Sequence, residues 1–166
     1  QTVSLGLTAG TATGGGTDFG SATATTNLQY SIDGGANWLD YSTTGAFALP
    51  AGGSVLVRTP INNDATPDNN EAFTLTATPA GGQAATGTGT IKDDGTGDIY
   101  KADGTTDTSA VKNDDRVVAV TSPTVNEASP YAVFTVTGTA GQTVSLGLTA
   151  GTATGGGTDF GSATAT

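Results

Sequence analysis

Carboxylates at turns are the residues of this sequence whose type and spacing suit a chemical role. Thirteen Asp and two Glu oppose five Lys and Arg, which gives a net charge of −10. Calcium takes about six to eight oxygen ligands, and acidic turns that lie close together can supply them. Eight acids stand at turns beside strand-like segments. We interpret them as ligands of a Ca²⁺ site: Asp18, Asp64, Asp68, Glu71, Asp93, Asp94, Glu127 and Asp159.

Other chemistries find little support in the composition. The sequence has no Cys and no His, so it offers no thiolate nucleophile, imidazole base, zinc finger or disulfide. A glycosidase would need a pair of carboxylates, but there are only two Glu, and Glu71 belongs to the acidic loop. We therefore predict that the protein is not an enzyme. Its negative charge also opposes binding to nucleic acid or to anionic membranes. No apolar run approaches the roughly 20 residues that span a bilayer.

An internal repeat sets the organisation of the chain. Residues 1–25 and 142–166 are the same string, QTVSLGLTAGTATGGGTDFGSATAT, with an offset of 141 positions. Identity over such a length indicates a tandem array, and the alternative is an engineered duplication. The period is longer than the roughly 20–50 residues of solenoid repeats, so it suits a whole domain with its linker.

The fold class follows from alternation and turn residues. Thr and Gly number 34 and 26, good helix formers are scarce, and β-branched residues favour strands. Segments 27–32 and 37–41 flank Asp33-Gly34-Gly35 as a hairpin. Further strands are predicted over 3–8, 54–58, 72–78, 85–91, 117–120, 131–137 and 144–149. This spacing predicts an all-β antiparallel sandwich, with core aromatics Tyr30, Trp38, Phe47, Phe73 and Phe134.

The polar segment 95–116 breaks the strand pattern. It contains five Asp, and we interpret it as an acidic interdomain linker with a possible short strand over 98–101. Residues 1–94 would then form the C-terminal part of one repeat, and 117–166 the N-terminal part of the next. Segment 117–166 could fold back on 26–94, pair with another molecule, or remain a separate incomplete piece. The last arrangement leaves core surface and strand edges exposed and is the least favourable. Whether the linker acids join the metal site stays open: Asp98, Asp103, Asp107, Asp114 and Asp115.

Four motifs carry a resemblance once the repeat is closed from 117 through 166 to 94. They are Val125-Asn126-Glu127, GTATGGGTDF over 10–19 and 151–160, NNDATPDNNEAF over 62–73, and IKDD over 91–94. This combination resembles the Calx-beta domain, the calcium-sensing module of sodium/calcium exchangers. The resemblance implies an immunoglobulin-like β-sandwich that binds Ca²⁺ through these loops. Asn63 and Asp68 depart from the acids usual in that family, which predicts fewer ions.

A second resemblance points to a biological setting. Segments 30–38, 51–53 and 57–60 are similar to extender repeats of giant RTX-type biofilm adhesins. That similarity implies an extracellular location on a bacterial cell surface, with neighbouring repeats of the same chain as partners. The implied function is structural: a calcium-rigidified extender that projects a distal binding domain. Two alternatives remain open, a fibre subunit that assembles by strand donation between chains and an adhesion module that binds ice or glycans.

Overall fold

A computed structural model describes residues 1–20, 28–41 and 45–161, and every regular element in these ranges is a β-strand. Asn27 of the predicted hairpin and positions 21–25 and 162–166 of the repeated string lie outside them. The strands are β1 (Thr2–Ala9), β2 (Gln29–Ser31), β3 (Leu39–Asp40), β4 (Phe47–Ala48), β5 (Leu56–Arg58), β6 (Glu71–Pro79), β7 (Ala85–Ile91), β8 (Ala119–Val120) and β9 (Val136–Thr137). All strand pairs are antiparallel, so the predicted all-β class is confirmed.

The main sheet has the strand order β4-β1-β6-β7, and a second sheet has the order β3-β2-β5. In the main sheet, β1 pairs with β6 from Val3↔Pro79 to Ala9↔Phe73. The β6–β7 register runs from Glu71↔Ile91 to Ala77↔Ala85. This register puts the C-terminal ends of β1 and β7 beside the N-terminal end of β6, because neighbouring strands run in opposite directions.

The core lies between the two sheets, as in a β-sandwich. Tyr30 of β2 stacks on Phe47 of β4 with ring centroids 4.5 Å apart. Tyr41, just after β3, accepts a hydrogen bond at 2.8 Å from the backbone N–H of Leu5 in β1. The buried apolar residues come from both layers: Val3, Leu5, Leu7, Ala12, Phe19, Leu28, Tyr41 and Phe47. These contacts make residues 1–94 a layered unit with a shared core.

The aromatic predictions divide according to position. Tyr30, Phe47 and Phe73 are in the core or pack against it, whereas Trp38 is half-buried at its side. Phe134 is 50% exposed, so its prediction as a core residue is wrong for this structure. Phe19 is fully buried and stacks on Phe73 at 4.6 Å. Nothing local marks Phe19 as a core residue, because it follows a glycine-rich turn and belongs to no strand.

The two copies of the repeated string have different structures. The first copy forms β1, which pairs with β4 on one side and β6 on the other. The strand predicted over 144–149 does not form, and Leu146 is 69% exposed. Beyond the linker, the described residues contain a single strand pair, β8 with β9, and both strands are shorter than predicted. Residues 117–161 thus stand as a separate piece, and no strand pair links them to β1–β7 in the described chain.

The predicted linker packs against the first unit. The N–H of Gly95 donates to the carbonyl oxygen of Asn113 at 2.8 Å, and Asp94 and Asp114 form a β-bridge. Residues 98–107, which we name the linker loop, fold into a turn closed by a Tyr100–Thr106 bridge. No strand forms over 98–101.

Arg58 fastens the linker loop to the second sheet. Its guanidinium lies 4.0 Å above the Trp38 ring and donates to the carbonyl oxygen of Ala102 at 2.6 Å. Gly104 of the loop also approaches the ring so closely that a Cβ there would lie 3.3 Å from Trp38. The indole therefore contacts both a cation and the loop, and it is the only Trp of the sequence.

Gly35→Ala is expected to expel the linker loop. A Cβ at Gly35 would lie 1.9 Å from the carbonyl oxygen of Asp103, so the two segments must separate. The loop would then leave Trp38 open to water, and the Trp fluorescence should shift to longer wavelength. Gly34→Ala is the matched control. It carries a similar positive φ, 76° against 98°, and a comparable strain of about 1–2 kcal/mol, but its Cβ would enter open space. Equal spectra for the two variants would contradict the close contact.

Candidate metal site at the acidic pole

Five of the eight predicted ligands line one cavity of about 120 Å³ at the end of the main sheet. We name this group the acidic pole: Asp18, Asp64, Asp68, Glu71 and Asp93. They converge because the ends of three neighbouring strands meet there. Asp18 follows β1, Glu71 begins β6, and Asp93 comes two residues after β7. The remaining two acids come from the loop between β5 and β6.

The turn that carries Asp18 holds its side chain inside the site. Gly15 and Gly16 adopt φ of 80° and 90°, which favours glycine at both positions. One carboxylate oxygen of Asp18 accepts from the backbone N–H of Thr13 at 2.6 Å, and its own N–H donates to the Thr13 carbonyl. Asp18 is 7% exposed. A buried carboxylate fixed in this way can act as a preorganised oxygen ligand.

Three carboxylates approach one another closely enough to share a cation. Asp18, Asp68 and Glu71 each offer an oxygen, and these oxygens lie within 4.8 Å of one another. Burial raises the pKa of Glu71, and the hydrogen bond with Asp18 and the neighbouring negative charges add to this effect. A divalent cation would relieve this repulsion, because carboxylate oxygens are the ligands that hard cations prefer.

Asp93 is the second indication that the pole suits a cation. It is 8% exposed, and its Oδ2 has no hydrogen-bond partner among the described residues. Burial raises its pKa, and the charges of Asp115 and Asp68 raise it further. A buried polar atom without a partner is costly, so an ordinary surface acid would not be placed here. An ion in the cavity would give this oxygen a partner.

The linker contributes residues that sequence reasoning did not place here. The amide nitrogen of Asn113 donates to Asp115 at 2.9 Å and to Asp93 at 3.3 Å, and it also bonds Asn63. Asn62, Asn63, Thr66 and Asn113 all line the cavity with the acids. The sequence alone leaves open whether Asp115 is a ligand. Asn113 carried no signal, because its position depends on the linker folding back over the pole.

The other three predicted ligands lie apart from the cavity. Asp94 accepts from Thr96 and from Asn69, and these hydrogen bonds, Thr96 first, lower its pKa to about 2. It is thus well satisfied as a turn residue. Glu127 and Asp159 are exposed on the segment 117–161. Asp159 keeps the local turn of its twin, since it accepts from Thr154 at 2.7 Å, but among the described residues it belongs to no cluster of three acids at metal-binding distance.

The pole can do one kind of chemistry well. It gathers carboxylate and amide oxygens around a small cavity, which is a donor set for Ca²⁺ or another hard divalent cation. The described residues 1–20, 28–41 and 45–161 hold a single cluster of three or more acidic side chains at metal-binding distance. The site is therefore suited to binding a divalent cation that would stabilise the fold.

Without calcium, acidification is expected first to stabilise the protein. Glu71 and Asp93 have raised pKa values, so the fold disfavours their charged forms, and protonation relieves this between neutral pH and the ordinary carboxyl pKa of about 4. Below about pH 4 the sign reverses. Asp33 and Asp94 have pKa values lowered to about 2, by hydrogen bonds chiefly from Asn37 and Thr96, and that stabilisation is lost on protonation.

Thermal melts in chelator across this pH range would show the maximum. Glu71→Gln should reduce the rise in melting temperature between neutral pH and pH 4, and it should not change the fall in melting temperature below pH 4. A melting temperature that decreases steadily from neutral pH would contradict the assignment of raised pKa values at the pole.

Comparisons with known proteins add no family to this picture. No protein-family model, curated protein or solved structure matches the chain. In the part of the chain that the structure describes, no helix has the length and apolarity needed to cross a membrane. The case for a function therefore depends on the geometry of the pole and on the repeat.

Proposed function

We propose that this chain is a calcium-rigidified extender repeat of a bacterial cell-surface adhesin, which holds a distal binding domain away from the cell. One observation carries the proposal: the linker folds back over the acidic pole, so that Asn113 lines the same cavity as Asp93. Asp93 ends the first unit, whereas Asn113 and Asp115 stand just before β8 of the next. An ion bound there would connect the body of one repeat to the start of its neighbour.

The energetics of such an ion are adequate for stiffening. The carboxylates repel one another without a cation, so their charge weakens the joint. Extracellular calcium modules bind at about 10⁻⁴–10⁻³ M. Calcium at about 100 times its dissociation constant would stabilise the bound form by about 2.7 kcal/mol. That is a considerable fraction of the 5–15 kcal/mol typical of a whole domain.

The repeat itself supports a mechanical role. Residues 1–25 and 142–166 are identical, so over this stretch successive units keep the same sequence at every position, whether it faces water or the core. A stalk needs copies that all do the same work, whereas a specific recognition surface needs to be present only once.

Limited proteolysis would test the stiffening directly. Lys112 and Arg116 flank the segment of Asn113 and Asp115, so trypsin should cut there in chelator and cut several-fold more slowly in millimolar calcium. Lys101 is an exposed internal control on the linker loop, and its cleavage should change little. Asp68→Asn should abolish the protection, and Asp40→Asn, an exposed acid away from the pole, should keep it. Equal cleavage with and without calcium would remove the proposed mechanism.

A second candidate function is an adhesion module that binds ice or glycans. The register aligns Thr8, Thr74 and Thr88 in one row across the main sheet, and Gly6, Thr76 and Thr86 in the next. Phe73, Leu75 and Ala77 pack toward the core, so the alternating Thr residues of β6 face outward. The hydroxyls form a regular array, at about 4.8 Å between strands and about 7 Å along them. Thermal hysteresis in the unaltered protein that Thr76→Lys removes would support ice binding. If the unaltered protein shows no thermal hysteresis, the extender function is favoured over ice binding.

A further inference from the structure

An apolar hollow lies open beside β5. This strand pairs with β2, and its other edge has no partner among the described residues. Between that edge and the inner face of the main sheet is a cavity of about 970 Å³, whose lining includes Leu7, Leu75 and Ile91 and, from the linker, Ile99, Tyr100 and Val111. At its rim, Leu56 is 41% exposed. A free strand edge beside an apolar cavity is an unfavourable surface to leave in water.

The segment 117–137 carries a surface of matching character. Its two strands, β8 and β9, form a pair that buries little of its own apolar surface. The exposed side chains include Val120, Tyr131, Val133 and Phe134, at 56%, 78%, 73% and 50%. No residue that lines the hollow comes from this segment, so the two apolar surfaces lie apart within the described chain.

Charge also favours their association. Four of the five basic residues of this acidic protein line the hollow: Arg58, Lys92, Lys101 and Lys112. Residues 117–141 carry a single charged side chain, that of Glu127. The hollow therefore presents four basic side chains and a single acid, Asp98, so it does not repel an uncharged strand, whereas the pole presents five carboxylates.

The repeat frame identifies what belongs in the hollow. Residues 142–149 copy residues 1–8, which include most of β1. Residues 117–141 therefore precede the β1 sequence in each period, and together with the linker 95–116 they are the part of the period that residues 1–94 do not contain. A segment with this sequence is the natural complement of the unit built around β1.

We propose that the hollow beside β5 is the docking site for the β8–β9 pair of a second copy of this chain, with residues 131–137 added as a strand at the free edge of β5. The β8–β9 pair of the same chain is held at a different place. Arg116 forms an ion pair with Asp114 at 2.7 Å, and Gln142 donates to the Arg116 carbonyl, which holds the segment near the pole. Reciprocal docking gives a closed dimer, and one-way docking gives a fibre.

Cysteine cross-linking tests the proposal without background, because the sequence has no Cys. Leu56→Cys and Val133→Cys chains, one of them carrying a mass tag, are mixed and oxidised in chelator. We expect mixed disulfide dimers at least five-fold above those from Val133→Cys with Thr86→Cys, which puts the thiol on β7, away from the hollow. An equal yield from both mixtures overturns the site.

Two further measurements identify the source of the strand. A chain with both Leu56→Cys and Val133→Cys should form disulfide-linked dimers. If it instead forms an intramolecular disulfide on dilution, the docked strand comes from the same molecule, and docking of a second copy is overturned. In sedimentation equilibrium, the unaltered chain should associate, Phe134→Glu should remove the association, and Leu146→Glu should retain it. Both altered residues are exposed, so neither change threatens the fold of residues 1–94. Monomers at every concentration would overturn the proposal, whatever the calcium response.

Discussion

Phe19→Ala is expected to destabilise the protein by about 3–5 kcal/mol, and Phe160→Ala by less than ~0.5 kcal/mol. The two residues occupy the same place in identical strings. Phe19 is fully buried and stacks on Phe73, so its removal leaves a cavity in the core. Phe160 is half-buried on the segment 117–161, which has no comparable core. The difference between the variants therefore measures the core contact alone, with the local sequence held constant.

Urea unfolding followed by Trp38 fluorescence would measure this difference, since Trp38 belongs to the unit that contains Phe19. The slope of the transition should stay the same for both variants while the midpoint falls for Phe19→Ala. A similar loss for both variants would mean that each copy completes the core in part of the molecules, and a loss for Phe160→Ala alone would mean that the second copy does so.

Asp18→Asn is expected to remove the stabilisation that calcium gives, and Asp159→Asn is expected to keep it. Each Asp accepts a backbone hydrogen bond from the Thr five residues before it, at 2.6 and 2.7 Å, so the local turn is weakened alike. Asp18 alone has Asp68 and Glu71 within reach of a shared cation. At about 100 times the dissociation constant, calcium adds about 2.7 kcal/mol to the unaltered protein, and Asp18→Asn should forfeit most of it.

The measurement is a pair of thermal melts for each protein, one in chelator and one in millimolar calcium. The unaltered chain and Asp159→Asn should show the same upward shift of the melting temperature. A full shift of the melting temperature for Asp18→Asn would mean that the ion binds elsewhere. If none of the three proteins shows a shift, calcium does not stabilise this chain.

Three of the four strands of the main sheet, β1, β6 and β7, were predictable because alternation there coincides with real partners, whereas the two-residue β4 was not predicted. The segment 85–91 forms β7 over the predicted residues, and 3–8 and 72–78 lie within β1 and β6. The same alternation fails over 144–149, where the letters are those of β1 but no neighbouring strand is present. A strand pattern specifies which face can be buried, and a partner is needed before it forms a sheet.

The candidate site was predictable to the extent that strand ends determine it. Asp18, Glu71 and Asp93 meet because β1, β6 and β7 are neighbours, and acids at strand ends show this in the sequence. Asn113 and Asp115 reach the pole through the folding of the linker over Asp93, which has no short-range pattern. Asp94 looks equivalent to Asp93 in sequence, but successive residues point in different directions, so it takes turn partners instead.

The identical strings at 1–25 and 142–166 have a consequence for the order of folding. Two strands of equal affinity for β6 can pair with it, and the pairing that forms first blocks the other. A chain that emerges N-terminus first, as in synthesis, lets 1–9 reach the sheet before 142–149 exists. A chain released from denaturant all at once has no such order, so the copies compete at equal intrinsic strength. The order in which the chain is synthesised or refolded, and not its sequence alone, then determines which copy of the string completes each domain of the array.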